Sequence, residues 1–252
     1  MTGLEVLAVV AAGLGAGVLA STVGVASLLS FPVLLAVGLP PVSANASNTL
    51  GLLPGGLSGS LGYRRELRAH PRLGLAILLT CAVGAVAGAL LLLALPPGVF
   101  EAVVPWLVLL TAVLVGIQPL VSRLVRARRG DDVADRERMS PVTACFATLT
   151  GVYGGYFGAG AGVMMMAVLG FGLDLELRVI NALKTLSLAV ANLVASLIFL
   201  VLAPLDWRAI ALLAAGSVVG GYVGAHIGRH LPDRVLRTFV VIAGVTAFVV
   251  LL

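Results

Sequence analysis

Eight mostly apolar stretches, each long enough to cross a lipid bilayer, make up most of this chain of 252 residues. A helix needs about 20 residues to cross a hydrocarbon core of about 30 Å. Only 11% of the residues are charged, against about 25% in soluble domains, and a fold in water has too little interior for so much apolar surface. The sequence therefore predicts an all-α polytopic membrane protein. The stretches are 4–39, 43–62, 73–95, 99–121, 142–172, 178–203, 207–227 and 235–252.

Two of these stretches are too long for one crossing. As straight helices, 4–39 and 142–172 would reach about 54 and 46 Å, well beyond the hydrocarbon core. Glycine interrupts each stretch near its middle, at Gly24 in the first and at Gly158, Gly160 and Gly162 in the second. Each stretch is therefore predicted to fold into a hairpin of two short or broken helices.

Most of the 16 Lys and Arg residues lie in three loops, which the positive-inside rule places in the cytoplasm. An even number of crossings must separate the second loop from the third, so 142–172 is expected to enter and leave on one side. The N-terminus lacks the basic region of a signal peptide, and we expect a retained first helix that starts outside. The basic residues are Arg64, Arg65, Arg68 and Arg72, then Arg123, Arg126, Arg128, Arg129, Arg136 and Arg138, then Arg229, Arg234 and Arg237.

The second half of the chain repeats the first at an offset of 136 residues, as in Asn45 with Asn181 and Thr49 with Thr185. The basic loop 63–72 aligns with the nearly uncharged 199–208, so charge changes sides between the halves. This predicts two inverted-topology repeats, each a broken-helix hairpin plus three transmembrane helices, with both termini outside. The alternative is two parallel four-helix halves, in which each broken stretch crosses once. The predicted units are a first repeat at 1–121, a cytoplasmic basic loop at 122–139 and a second repeat at 140–252.

Polar side chains inside the apolar stretches are candidates for a binding site, because leaving them unpaired in hydrocarbon is costly. At helical spacing, each repeat places two polar positions and a threonine on one face, and Lys184 is the only lysine of the chain. These amides, hydroxyls and one ammonium predict a site for a small anion. The alternative is interhelical hydrogen bonding, with Lys184 extending to the membrane surface. The residues are Asn45, Asn48, Thr49, Asn181, Lys184 and Thr185.

The glycines at the two breaks point to the same site, because a broken helix presents free N–H groups and the positive end of its dipole to an anion. Gly24, Gly158, Gly160 and Gly162 are therefore predicted substrate-binding residues, with close helix packing as the alternative. For the two GxxxG pairs that end at Gly88 and Gly224, packing is the better explanation.

Other function classes have little support. The basic residues are too sparse and too localised for a nucleic-acid surface. Cys81 and Cys145 lie in apolar stretches without CxxC spacing or paired histidines, so no metal site is predicted. The acidic residues sit at the ends of the stretches or in loops, which gives no constellation for an enzyme. No cofactor is expected.

The chain resembles the sulfite exporter (TauE/SafE-like) family of membrane transporters. The resemblance is carried by a glycine-rich segment near the start of each half, the Asn-Ala-x-x-Thr stretch that begins at Asn45 and again at Asn181, and the basic loop between the halves. It covers nearly the whole chain. It implies export or uptake of sulfite, a sulfonate or a related organosulfur anion, driven by an ion gradient.

These observations together predict a secondary transporter that moves a small anion across the cytoplasmic membrane by alternating access, with its substrate site between the two halves. A proton or a sodium ion is the candidate coupling ion, and the sequence leaves open whether the protein forms a homo-oligomer. Two alternatives remain: a passive anion channel built from the same residues, and an intramembrane enzyme or accessory subunit that transports nothing.

Overall fold

The structure, a computed structural model, describes residues 2–22, 25–127, 139–227 and 233–251. Within these ranges all regular secondary structure is helical, which confirms the all-α part of the predicted fold. The helices are α1 Gly3–Thr22, α2 Ser27–Ala36, α3 Pro41–Gly62, α4 Arg64–Ala69, α5 Pro71–Ala94, α6 Pro97–Ala127, α7 Pro141–Tyr156, α8 Ala161–Gly172, α9 Leu177–Leu202, α10 Trp207–Ile227 and α11 Asp233–Leu251.

Both long apolar stretches are divided as predicted. The first forms α1 and α2, and Gly24 itself lies outside the described residues. The second forms α7 and α8, separated by residues 157–160. Gly158 and Gly160 have φ angles of +79° and +77°, a left-handed conformation that side chains with a Cβ rarely adopt. The helix therefore ends where the glycines allow the chain to leave the right-handed conformation.

The other six stretches match their helices closely, with two differences. Helix α6 continues to Ala127, past the expected end at 121, because no glycine or further proline interrupts it before Gly130. The basic loop 63–72 contains the short helix α4, which is one and a half turns long and lacks an apolar periodicity that would reveal it. Four of the described helices, α1, α5, α6 and α9, are long and apolar enough to cross a membrane.

Helices from opposite halves of the sequence make the closest contacts. Helix α1 packs mainly against α10, and α7 packs mainly against α5. At both interfaces glycines bring the backbones together. A Cβ at Gly13 would lie 2.7 Å from the carbonyl oxygen of Leu213, and a Cβ at Gly220 would meet the carbonyl oxygen of Leu14. Small residues at such positions let membrane helices approach by direct backbone contact.

The same exchange continues through the rest of the molecule. Helix α5 also packs against α9, and α10 packs against α3, while α3 and α9 meet each other and α6 meets α11. The two halves are therefore interleaved, and α3 and α9, which carry the polar candidates, are in contact with helices from both halves. At the start of α9, Arg178 Nε forms an ion pair of 2.5 Å with Glu66 Oε1 of α4.

Replacing Gly220 by alanine tests the close approach of α1 and α10. The added methyl group would meet the backbone of α1, so the helices must separate, and we expect a loss of about 1–3 kcal/mol in the free energy of unfolding. The measurement is the melting temperature of the purified protein in detergent. Gly221→Ala is the matched control, because nothing lies within 4 Å of its Cβ position and alanine favours the helix. Equal melting temperatures of the two variants would contradict the packing described above.

Candidate functional site

The polar residues at the start of α3 are buried and hydrogen-bonded to other helices. Asn45 is 1% exposed, and its Nδ2 donates to the backbone oxygen of Tyr156 at 2.9 Å. Asn48, also buried, accepts a hydrogen bond from Ser30 Oγ through its Oδ1. The Oδ1 of Asn45 is buried and has no hydrogen-bond partner within the part of the chain described. Asn45 thus joins α3 to the break between α7 and α8 and keeps one acceptor unused.

Two further bonds show how α3 is held. Ser47 Oγ accepts a hydrogen bond from the backbone N–H of Asp206 at 3.0 Å, and Asp206 Oδ1 accepts from the backbone N–H of Ala209 at 2.8 Å. Asp206 thereby caps the start of α10. For Asn48, the bond with Ser30 of α2 matches the interhelical hydrogen bonding that was the alternative to substrate binding.

The polar residues of α9 form a partly exposed face. Asn181, Lys184, Thr185, Leu188 and Asn192 recur at helical spacing, and each is partly exposed. Thr185 Oγ1 donates to the backbone oxygen of Asn181 at 2.8 Å, as Thr49 does to that of Asn45 at 2.9 Å. We call these five residues the polar face of α9. Its residues are less completely buried than Asn45 and Asn48 of α3.

Lys184 brings the charge to this face. It lies seven residues into α9, about 10 Å along the helix. Within the described ranges its ammonium group has neither an ion pair nor a hydrogen-bond partner. An unpaired ammonium at membrane depth is costly and is found facing a water-filled cavity or a ligand. Lys184 is therefore the strongest candidate for an anion contact.

The break between α7 and α8 is held by hydroxyl groups. The backbone oxygen of Ala159 accepts a hydrogen bond from Tyr153 Oη at 2.6 Å, and it lies 3.0 Å from Thr111 Oγ1 of α6, whose single proton it shares with the backbone oxygen of Leu107 at 2.8 Å. The backbone N–H groups of Ala161 and Val163 donate to carbonyls of the turn itself, at 3.2 and 3.0 Å. Some of the N–H groups that were expected to bind an anion are thus already hydrogen-bonded to carbonyls of the turn.

The glycines at the break lie beside α9 and α6. The ideal Cβ position of Gly158 lies 3.9 Å from Asn192 Oδ1, and that of Gly160 lies 3.1 Å from Thr111 Cγ2. Gly162 is buried in the first turn of α8. The break therefore sits between α6, α9 and, through Tyr156, Asn45 of α3.

Aromatic rings surround the break on the side of Asn45. The ring centroid of Phe157 lies 5.3 Å from that of Phe31 and 6.3 Å from that of Phe100, and both pairs are edge-to-face. Tyr156 stacks edge-on against Phe100 at 5.6 Å, and Tyr153 lies 6.5 Å from Phe157. The three phenylalanines are almost completely buried. We call Phe31, Phe100, Tyr153, Tyr156 and Phe157 the aromatic cluster.

The structure brings together only part of the predicted site. Asn45, Gly158 and Gly160 meet at the second break, whereas no hydrogen bond within the described residues joins the side chains of the α3 set to those of the α9 set. The link between them is Ser60 Oγ of α3, which lies 3.4 Å from the backbone oxygen of Thr185. Gly24 lies outside the described residues.

Sequence reasoning missed Asn192, Thr111 and the aromatic cluster. Asn192 had a usable signal, since it is an amide in the middle of a predicted span, 11 residues after Asn181 on the same helical face. Thr111 and the aromatic residues had none, because hydroxyls and rings in an apolar helix are ordinary until a neighbouring break supplies their partner. In the described residues, no group of three or more His, Cys, Asp or Glu side chains is arranged to hold a metal ion.

Comparisons with known proteins add to this geometry. The family model described as sulfite exporter TauE/SafE matches residues 9–251. The chain is similar to "Probable membrane transporter protein ORF9" of Sinorhizobium sp., with 28% identity covering 94% of this chain and 88% of that protein. It is also similar to a "Probable membrane transporter protein" of Haemophilus influenzae, with 27% identity over 95% of this chain and 92% of that protein. A third relative, "Probable membrane transporter protein YfcA" of Escherichia coli K12, is 25% identical, covering 91% and 82%. No solved structure gives a significant match.

Removing the two hydroxyls at the break tests how the Ala159 carbonyl is held. Tyr153→Phe and Thr111→Val should each cost about 1 kcal/mol, and the double variant more than their sum, because it leaves a buried carbonyl unsatisfied. The melting temperatures of the single and double variants give the coupling. Thr148→Val is the control, since its hydroxyl bonds only to Ala144 of its own helix. Strict additivity would mean that the two hydroxyls do not share this acceptor.

Proposed function

The chain belongs to the sulfite exporter TauE/SafE family of membrane transporters, and from this premise we propose that it is a secondary transporter for a small anion such as sulfite, a sulfonate or a related organosulfur compound. The observation that carries the proposal is Lys184, whose ammonium group lies on a partly exposed polar face of α9 without a partner among the described residues. A cation in that position selects for anionic substrates. The protein is a multi-pass membrane protein, and we propose the cell membrane as its location.

We propose that the two halves are inverted-topology repeats, with both termini outside and the basic loop 122–139 in the cytoplasm. The contacts come in pairs related by the offset of 136, which supports a twofold relation between the halves, and the basic charge that changes sides between the halves supports its inverted sense. The pairing of α1 with α10 corresponds to that of α7 with α5, and the pairing of α3 with α10 corresponds to that of α9 with α5. An exchange of partners of this kind is expected when two equivalent units are related by a twofold axis. Two parallel four-helix halves would require α1 and α7 to cross the bilayer in the same direction.

The proposed substrate site follows the polar face of α9. Lys184 and Asn181 would hold the negative oxygens of the anion, and Asn192, about 12 Å further along the helix, would receive it near the break at Gly158. Thr185 presents its hydroxyl on the same face. Asn45, Asn48 and Thr49 belong to the corresponding set on α3, where Asn45 remains a proposed substrate contact through its unused Oδ1.

The interleaved packing bears on which parts move. We propose that the bodies that rock during alternating access are not the two halves of the sequence. One body contains α1, α3 and α10, and the other contains α5, α7 and α9, because glycine-mediated contacts hold the helices of each set together. A proton or a sodium ion is proposed as the coupling ion. A homo-oligomer is compatible with this arrangement.

The second candidate function is a passive anion channel through the same residues. A carrier exchanges labelled substrate against a gradient of unlabelled substrate, and a channel does not. Counterflow in proteoliposomes, with sulfite, thiosulfate, sulfoacetate and simple carboxylates as substrates, separates the two. An intramembrane enzyme or accessory subunit would give no flux with any substrate.

Lys184→Gln is expected to lower anion flux in proteoliposomes at least about tenfold, since a charge-assisted hydrogen bond contributes about 1.5–3 kcal/mol. The melting temperature should stay the same or rise, because the variant removes an unpaired charge from the membrane. Arg178→Gln is the matched control for flux: it removes an exposed cation at the start of the same helix, and because its partner Glu66 is only 10% exposed, we expect a lower melting temperature but an unchanged flux per folded protein. Normal flux in Lys184→Gln would remove Lys184 from the site.

The proposed orientation is tested with single cysteines in intact cells. A cysteine inserted in the loop 128–138 should react with a membrane-impermeant thiol reagent only after the cells are permeabilised. A cysteine added before Thr2 should react in intact cells. The physical reason is that three basic loops face the cytoplasm. Reaction at both positions in intact cells would overturn the inverted arrangement.

A further inference from the structure

Two residues that are equivalent at the offset of 136 are in different states in this structure. Asn45 is buried, and its Nδ2 holds the backbone oxygen of Tyr156. Asn181, its equivalent, is partly exposed, and its side chain has no hydrogen bond within the described ranges. The residue equivalent to Tyr156 is Ala20, in the last turn of α1. The same amide and the same kind of acceptor exist on both sides, but only one pair is joined.

Both acceptors are carbonyls in the last described turn of their own helix. The last four carbonyls of a helix have no partner within it, and both Tyr156 and Ala20 fall among them. In hydrocarbon such a carbonyl requires another donor. Asn45 supplies it for Tyr156, and Asn181 is the residue at the corresponding position for Ala20.

A second pair of equivalent residues shows the same difference. Ser60 Oγ lies 3.2 Å from the backbone oxygen of Gly56 in its own helix and 3.4 Å from that of Thr185 in α9, and its single proton is shared between these two acceptors. Its equivalent, Ser196, is 1% exposed and has no hydrogen-bond partner within the described part of the chain. The acceptor that corresponds to Thr185 is Thr49. A buried hydroxyl without a partner is unfavourable, and an alternative arrangement of α3 and α9 would give Ser196 the bond that Ser60 now has.

The two sides also differ in what covers them. The Asn45 bond lies beside the aromatic cluster, whereas the residues equivalent to Phe31 and Tyr156 are Ala167 and Ala20. Both helices place this bond at a similar depth in the membrane. Asn45 is about 6 Å from the start of α3, which lies at one membrane face in the proposed orientation. Tyr156 is about 22 Å from the start of α7, which lies at the opposite face. The Asn45 side is therefore the more completely packed of the two, and among the described residues Asn181 makes no bond to Ala20 that corresponds to the bond between Asn45 and Tyr156.

We propose that Asn45 and Asn181 are paired gate residues, and that the bonds Asn45 Nδ2 to Tyr156 O and Asn181 Nδ2 to Ala20 O form in alternation as the protein opens to one side and then the other. This rests on the alternating access proposed above. Asn45 is then a positioning residue for the outer gate, and the aromatic cluster packs behind it.

Thiol labelling of the purified protein in detergent tests the alternation without a transport assay. In a background with Cys81→Ala and Cys145→Ser, two equivalent positions report on the two sides: Leu52, which is 8% exposed, and Leu188, which is partly exposed. We expect L188C to react with a small maleimide and L52C to be protected. Adding Asn45→Ala should raise the rate at L52C and lower the rate at L188C, so that the ratio of the two rates changes about tenfold, as when one bond of about 1.4 kcal/mol is lost.

The matched control is Asn48→Ala, which removes an equally buried amide of the same helix that is bonded to Ser30 instead of to a helix end. It should not move the two rates in opposite directions. Unchanged rates in Asn45→Ala, or a rise at both positions, would overturn the proposal. If Asn45→Ala raises the labelling rate at L52C and lowers it at L188C in a protein that transports no anion, the gate is supported and the proposed function is rejected. If the protein transports an anion but the two rates do not change in this way, the proposed function is supported and the gate is rejected.

A second measurement does not depend on the folding of Asn45→Ala. In the same background, the pair A20C and N181C is expected to form a disulfide under mild oxidation, because the proposed bond brings these residues within reach of each other in the other state. The pair A20C and L188C, two turns further along α9, should not. Oxidation that joins neither pair would show that Asn181 never reaches the end of α1.

Discussion

The backbone carbonyls released where the two long apolar stretches break are the groups on which the rest of this structure depends. Hydrocarbon offers them no hydrogen bonds, so each needs a donor from a neighbouring helix. At the second break Tyr153 and Thr111 satisfy Ala159, and Asn45 satisfies Tyr156. These donors come from α3, α6 and α7. The polar residues inside the membrane are thus placed by the need to satisfy broken helices as well as by any substrate.

This requirement connects the fold to the proposed site. A donor that satisfies a helix end can release it if another donor or solvent replaces it, so each break is a position where two arrangements have similar energies. Lys184 has a different role, since it satisfies no carbonyl and pairs with no carboxylate among the described residues. One set of polar groups therefore maintains the protein and the other is left for a ligand.

Much of the architecture could be predicted from the sequence, because hydrocarbon thickness and glycine position are strong constraints. The lengths of 4–39 and 142–172 predicted both breaks, and the spans of the other helices followed from apolar length alone. The family resemblance was confirmed by a match over residues 9–251. The end of α6 and the helix α4 were not predicted, since neither is decided by apolar length. The sequence singled out the polar residues of α3 and α9, but it did not predict their different burial, because burial depends on the side chains that neighbouring helices pack against them. The assignment of the site residues to an anion stays a prediction.

The interleaving of the two halves has a consequence for how the protein is made. Helix α1 presents Gly13 and Gly17 to α10, which begins at Trp207. At roughly 5–20 residues per second, the ribosome needs roughly 10 to 40 s to complete that partner after α1 has left it. During this interval the glycine surface of α1 has only lipid or other proteins against it. Biogenesis of this protein therefore includes a period in which its first helix is inserted but not yet packed against α10. A nascent chain that stops before α10 lacks the helix against which α1 packs.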